Sequence, residues 1–305
     1  MEPHRCYACD PSNPDRIAFD EGRRLRVPAR FRGPPGNVNG GMAVGVLACP
    51  VLHQAGRDGV GHAAVSRITA RLRAGVRVDR DLAVAASAEG DVYTVVLRDG
   101  DTELITATAE IVRFDRAPRP GDEIARPPVE RAGDVTELTA LPVPEAPPFF
   151  VETGEHPIPG CFSCGPDNPA GMYIYPRVVR DGVTCAAWPD ARGFDNADGP
   201  GDSTLSAAVL TAAIDCSSGI CMPVAQQREL LELDQFFLLG TMDVRYLRVP
   251  PAAAPYRVAA KALRRDGRKF YGLSVLAGED SAPYAMAEST WIIAAISRTE
   301  AFGAR

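Results

Sequence analysis

A motif that occurs twice constrains this chain more than any other feature. Arg5-Cys-Tyr-Ala-Cys-Asp-Pro-Ser-Asn-Pro14 is echoed by Gly160-Cys-Phe-Ser-Cys-Gly-Pro-Asp-Asn-Pro169, so that Cys6 and Cys9 correspond to Cys161 and Cys164. The same order of features follows each copy: an Asn-Pro turn, a strand, a Gly/Asp-rich loop, a helix of small apolar residues, then several strands with alternating apolar and charged positions. Such self-similarity is the mark of one architecture built twice. A length of 305 residues holds two domains of ordinary size, and 46% hydrophobic residues supply a core for each.

In the first half a helix is expected from about Gly40 to Leu52, with Pro50 bending or ending it, because proline lacks the N–H that a helix interior uses. In the second, Leu205 to Ile214 is apolar except at Ser206 and Thr211, and Asp202 or Ser203 is placed to cap the first turn. A helix apolar on every side must be covered on every side. The alternating segments that follow supply the cover: Ala63 to Leu72, Leu82 to Ala88, Asp91 to Arg98 and Glu103 to Phe114, then Phe236 to Leu247, Tyr256 to Arg264, Lys269 to Ala277 and Tyr284 to Ala294. Turns at Glu89-Gly90, Asp99-Gly100 and Arg265-Asp266-Gly267 separate several of them. Arg116 to Pro148 is rich in Pro, Gly and acidic residues, which favours an extended linker. The expected organisation is an α+β fold with a first domain over 1–115, a Pro-rich linker over 116–150 and a second domain over 151–297.

The formal charge of -6, from 33 Lys and Arg against 39 Asp and Glu, gives no basic face for a nucleic acid. His4-Arg5 followed at once by Cys6 lacks the apolar core of a signal peptide, and no stretch approaches the roughly 20 apolar residues of a membrane span. A cytoplasmic chain with neither a nucleic acid nor a membrane as partner is expected. Eight cysteines are too sparse for a disulfide scaffold, and Cys49, Cys185, Cys216 and Cys221 read as small buried apolar residues.

The segment Cys161-Phe-Ser-Cys-Gly-Pro-Asp-Asn-Pro-Ala-Gly-Met172 resembles the start of phenylacetate-degradation-type thioesterases of the hotdog superfamily. Leu239-Gly-Thr-Met-Asp-Val-Arg-Tyr-Leu-Arg-Val-Pro250 resembles their first strand after the helix, and the hairpin at Arg265 to Lys269 fits the same pattern. The likeness covers most of 156–295 and, more weakly, 4–114, where Ile68-Thr-Ala-Arg-Leu-Arg73 occupies the corresponding strand. It implies a tandem double hotdog, because single-copy members pair with their sheets edge to edge and their helices side by side.

The resemblance also implies a site. In the family a His-Gly-Gly segment at the helix start polarises a thioester carbonyl through backbone N–H groups, and a carboxylate on the opposite copy's helix activates water. Here Asn39 stands in for the family His, before Gly40 and Gly41. The second half has Ser206-Ala207-Ala208 in that place if Asp215 is matched to the family carboxylate. The first helix offers Ala48 against Asp215 or, in an ungapped alignment of the repeat, Leu52 followed by His53. One composite site is therefore expected, with Asp215 as base, Gly40 and Gly41 as oxyanion donors, Asn39 beside them, and no metal or other cofactor. The expected partner is an acyl-CoA or related small molecule, hydrolysed between the halves; the alternative is a non-catalytic protein that binds it or another apolar molecule there. Dehydratase chemistry on this fold needs a helix Asp and His pair that the sequence does not place.

Plainer roles compete with these. Asp215 would serve as the polar end of a buried helix, solvated or paired with Arg245; Asn39 as a cap; Gly40 and Gly41 as points of close helix–sheet contact. Cys6/Cys9 and Cys161/Cys164 each have zinc-knuckle spacing, but one shared four-thiolate site requires both turns to meet, and packing of small sulfur residues is the reading preferred. His53 reads as a loop residue after a broken helix rather than a general acid. Asp202, Ser203 and Thr204 read as a cap rather than a nucleophile set, since no His follows nearby. Arg264, Arg265, Arg268 and Lys269 form a solvated hairpin or hold the phosphates of a CoA-like carrier. Ser206, Arg264, Arg268 and Lys269 are accordingly the candidate substrate contacts. A homodimer of the fused pair is left open.

Overall fold

The computed structural model describes residues 16–20, 23–152, 156, 158–194, 204–295 and 297; the Cys6/Cys9 motif and the cap candidates Asp202 and Ser203 lie outside them. The first half comprises β1 (Ala18–Asp20), β2 (Arg24–Arg26), α1 (Gly40–Gly45), α2 (Ala48–Arg57), β3 (Ala63–Leu72), β4 (Leu82–Glu89), β5 (Val92–Asp99) and β6 (Thr102–Arg113). The connecting region holds α3 (Ala132–Thr139) and α4 (Phe149–Glu152). The second half comprises β7 (Arg177–Arg180), β8 (Val183–Trp188), α5 (Ala207–Ile220), α6 (Val224–Glu232), β9 (Phe237–Tyr246), β10 (Tyr256–Asp266), β11 (Lys269–Gly278) and β12 (Pro283–Ile293).

All twelve strands join one antiparallel sheet of order β1-β2-β4-β5-β6-β3-β9-β12-β11-β10-β8-β7. Outward from the β3–β9 seam, each half repeats the same strand order. The alternation read from sequence is what packs the sheet: β9 buries Met242, Val244 and Tyr246 on the helix side and turns Asp243 and Arg245 to the other face. The hairpin turns fall at Gly90 and Gly267, whose φ of 64° and 55° only glycine adopts without strain. At the seam Arg67 donates to both carboxylate oxygens of Asp243, at 2.8 and 2.7 Å, and so clips one half to the other. The concave face encloses α1, α2 and α5 in one core that draws residues from both halves.

Three expectations need correction. The first helix does not end at Pro50. It breaks at Val46–Leu47 and restarts as α2, so that Pro50 lies in a first turn, where its missing N–H costs nothing, and the helix runs on to Arg57. His53 is thus an exposed helical residue, not a loop residue. The second helix starts at Ala207 with Ser206 as its cap and continues five residues beyond Asp215, which therefore lies within it rather than at its end. Finally, the connection is folded. Val135 and Leu138 of α3 pack on the outer face of β10 and β11 with Ala259, Leu273 and Val275, while Arg131, Asp134 and Glu137 bind Glu288 and Lys261 around them.

Candidate active site

The two central helices meet at α1 and α5, and glycine sets how closely. A Cβ on Gly41 would stand 2.4 Å from the Thr211 carbonyl oxygen and 2.6 Å from Asp215 Cβ; one on Gly45 would stand 2.7 Å from Ala208 Cα. Gly41 thus serves close helix–helix contact, whereas Gly40 faces Leu239 of β9 and the Asp215 carboxyl. This approach brings the cap of one helix to the middle of the other. Asn39 Oδ1 accepts from the Met42 N–H at 2.9 Å, capping α1, and Asn39 Nδ2 donates to Asp215 Oδ2 at 3.0 Å. Asn39, expected as a cap or as a substrate contact, is a cap, and the other end of its side chain holds the Asp215 carboxyl.

Asp215 is 2% exposed and Arg245, on the opposite sheet face, is not its partner. Burial pushes its carboxyl up to about 7; the Gly41 N–H and the Asn39 amide pull the other way, and negative charge at Cys161 adds to the rise. Oδ1 still lacks a hydrogen bond of ordinary geometry among the described residues.

A cavity of about 340 Å³ opens beside this pair, with Asn39, Gly40 and Asp215 in its wall. Phe237 and Trp291, edge to face at 5.4 Å, give it an apolar side. Arg73 and Arg268 also line it; Arg268 is braced by two hydrogen bonds to the Ile293 carbonyl. Arg264 and Lys269 do not. Arg264 instead stacks on Tyr271 at 3.7 Å, and Lys269 is exposed at the start of β11. Ser206 is absent from the wall as well: it caps α5 through the Val209 N–H. Because Ser206 and Asn39 are matching caps, Asp215 matches Ala48, and the pseudo-equivalent of the Asn39–Asp215 pair has no acid. Nearby, Tyr246 and Thr211 join hydroxyl to hydroxyl at 2.6 Å, both fully buried.

Missing from the sequence-based set are the cysteines. The Cys161–Cys164 turn docks on the first half, where the Phe162 N–H donates to the Arg32 carbonyl at 2.7 Å and Asn168 Nδ2 to the Arg30 carbonyl at 2.9 Å. Ser163 Oγ donates to the Ala212 carbonyl at 2.6 Å, tying the turn to α5. Cys161 Sγ then lies 3.5 Å from Cys216 Sγ, and both, with Cys164, line the cavity. Hydrogen bonds from Cys164 and Cys216 hold the Cys161 thiol well below its ordinary value. Cys49, Cys185 and Cys221 are buried as expected, but Cys216 is half-buried and belongs to this cluster. Its proximity was invisible because it depends on the docking of a turn 55 residues away.

The fold and this helix pairing define the chain as a double hotdog. No protein-family model matches the sequence, and no curated protein does. Solved structures do match. A conserved protein of unknown function with hot dog fold from Alicyclobacillus acidocaldarius is 17% identical over 92% of this chain and 96% of its own, with a TM-score of 0.53. Acyl-CoA thioesterase II TesB2 from Mycobacterium marinum is 11% identical over 91% and 95%, at 0.54. The tesB protein of Mycobacterium avium subs paratuberculosis is 11% identical over 91% and 95%, at 0.55. Among the described residues no single helix is long and apolar enough to cross a membrane.

Proposed function

We propose that the chain, working in the cytoplasm, binds an acyl thioester such as an acyl-CoA between its halves and hydrolyses it. The observation that carries this reading is the Asn39–Asp215 hydrogen bond, which joins the halves at a cavity of small-molecule size. Asp215 takes a proton from water as the water oxygen attacks the thioester carbon. The carbonyl oxygen gains negative charge and is met by backbone N–H at Gly40, with Gly41 held behind it against Asp215. Collapse breaks the C–S bond and releases a carboxylic acid and a thiol, the proton held by Asp215 returning to the leaving sulfur. Asn39 is a positioning residue that orients the carboxyl. Arg268 and Arg73 supply positive charge for the phosphates of a CoA-like carrier. Structural neighbours named as acyl-CoA thioesterases support the substrate class.

The test is thiol release from short, long and aromatic acyl-CoAs by the wild type and Asp215→Asn. Loss of a general base lowers the rate by about 100-fold or more, with the far-ultraviolet circular dichroism unchanged. A second reading, binding without turnover, is favoured by the depth of Asp215, 2% exposed. It predicts saturable acyl-CoA association and no release from either protein.

A further inference from the structure

Beside the Asn39–Asp215 pair stands a group of side chains that the hydrolysis does not use. Cys161 and Cys164 come from the turn before β7 and Cys216 from the middle of α5, and their three sulfur atoms lie within 4.8 Å of one another. Three thiols converging from two separate elements differ from Cys49 and Cys185, each the lone cysteine of its apolar cluster.

We propose that Cys161, Cys164 and Cys216 form a metal site for a tetrahedral, thiolate-seeking divalent cation, zinc above all, with a fourth ligand drawn from the cavity. Zinc–thiolate bonds of about 2.3 Å in a tetrahedron place sulfur atoms about 3.8 Å apart. Cys161 and Cys216, at 3.5 Å, are already near that spacing. The CxxC pair supplies two ligands on one turn, the arrangement of a zinc knuckle. Around the cluster, Asn39 Nδ2 lies 3.6 Å from Cys161 Sγ and 3.8 Å from Cys216 Sγ, a donor suited to sulfur atoms that carry negative charge. Separately, Asp215 Oδ1, buried in the same cavity wall, lacks a hydrogen bond of ordinary geometry among the described residues and is an acceptor for water bound at the fourth position. Hard cations that prefer oxygen ligands do not fit this donor set. The site would pin the turn to α5 and fix the cavity wall. It differs from the four-thiolate arrangement of two CxxC pairs: its third ligand is Cys216, and Cys6 and Cys9 have no part in it.

The full-length chain, reduced with a phosphine and stripped with a chelator, is titrated with Co²⁺ and then Zn²⁺. Expected is one equivalent of Co²⁺, with a thiolate-to-cobalt charge-transfer band and the strong d–d bands of tetrahedral coordination, both abolished by Zn²⁺. Cys216→Ser and Cys164→Ser weaken binding by more than about 100-fold, whereas the Cys6→Ser/Cys9→Ser chain binds as the wild type does. Alkylation of the wild type, mapped by peptide mass, gives the same answer without variants: Zn²⁺ protects Cys161, Cys164 and Cys216. Absence of the charge-transfer band in the reduced wild type, its survival in folded Cys216→Ser, its loss in Cys6→Ser/Cys9→Ser, or protection confined to other cysteines overturns the proposal. None of these readouts involves acyl-CoA, so the metal site and the hydrolysis fail or stand separately.

Discussion

Asn39 shows how much one side chain does in this fold. Its oxygen caps a helix of its own half while its nitrogen donates to Asp215 of the other, so neither role is separable by deletion. The glycines beside it are separable. Gly41 has no room for a methyl group, because backbone atoms of α5 stand in the way, whereas the nearest obstacle at Gly40 is the Leu239 side chain, at 3.0 Å, which can turn aside. Gly41→Ala is therefore expected to lower the unfolding free energy by about 2–3 kcal/mol, and Gly40→Ala by about 1 kcal/mol or less. Urea titration of the two variants measures both. The likeness to hotdog thioesterases picked out Asn39 and the glycine pair at one helix start, and Asp215 as the acid of the other, otherwise apolar helix. Cys216 and Arg73 stand out in no such way, and only the docked turn and the joining of the two halves in one sheet bring them to the cavity.

Among the elements, the eight long strands were legible almost residue by residue, since alternation reports on a sheet with one buried face, and β11, covered on both faces, reads instead as a largely apolar run. Helix α3 was not. Its two buried apolar residues, Val135 and Leu138, are too few to stand out between prolines, and its stability comes from the sheet face it covers. Leu138 is buried among Val135, Leu273 and Val275, so Leu138→Ala is expected to cost about 2–4 kcal/mol, again by urea titration. A free linker would show no change. Helix α6, between α5 and β9, also escaped the sequence reading, because few residues of its nine are apolar enough to mark a face.

For the molecule as a whole, the sheet has no gap and the main core draws on both halves, so the halves should not unfold one at a time. Both tryptophans, Trp188 and Trp291, lie in the second half. In urea, their fluorescence and the far-ultraviolet circular dichroism of the entire sheet are expected to change along one curve. Two displaced curves would mean that the halves are separate folding units. The Arg67–Asp243 clip contributes little to this cooperativity: with each side chain 30% exposed, Asp243→Ala is expected to cost about 1 kcal/mol or less.

The pairing of the Asn39–Asp215 contact with a counterpart at Ser206 and Ala48 that has no acid has a consequence for inheritance. In a symmetric dimer each codon is read into two places, and a change that improves one must be tolerated in the other. Here every position meets a single environment. Selection on one half is released from the demands of its twin, and the counterpart of the cavity is free to drift toward packing alone.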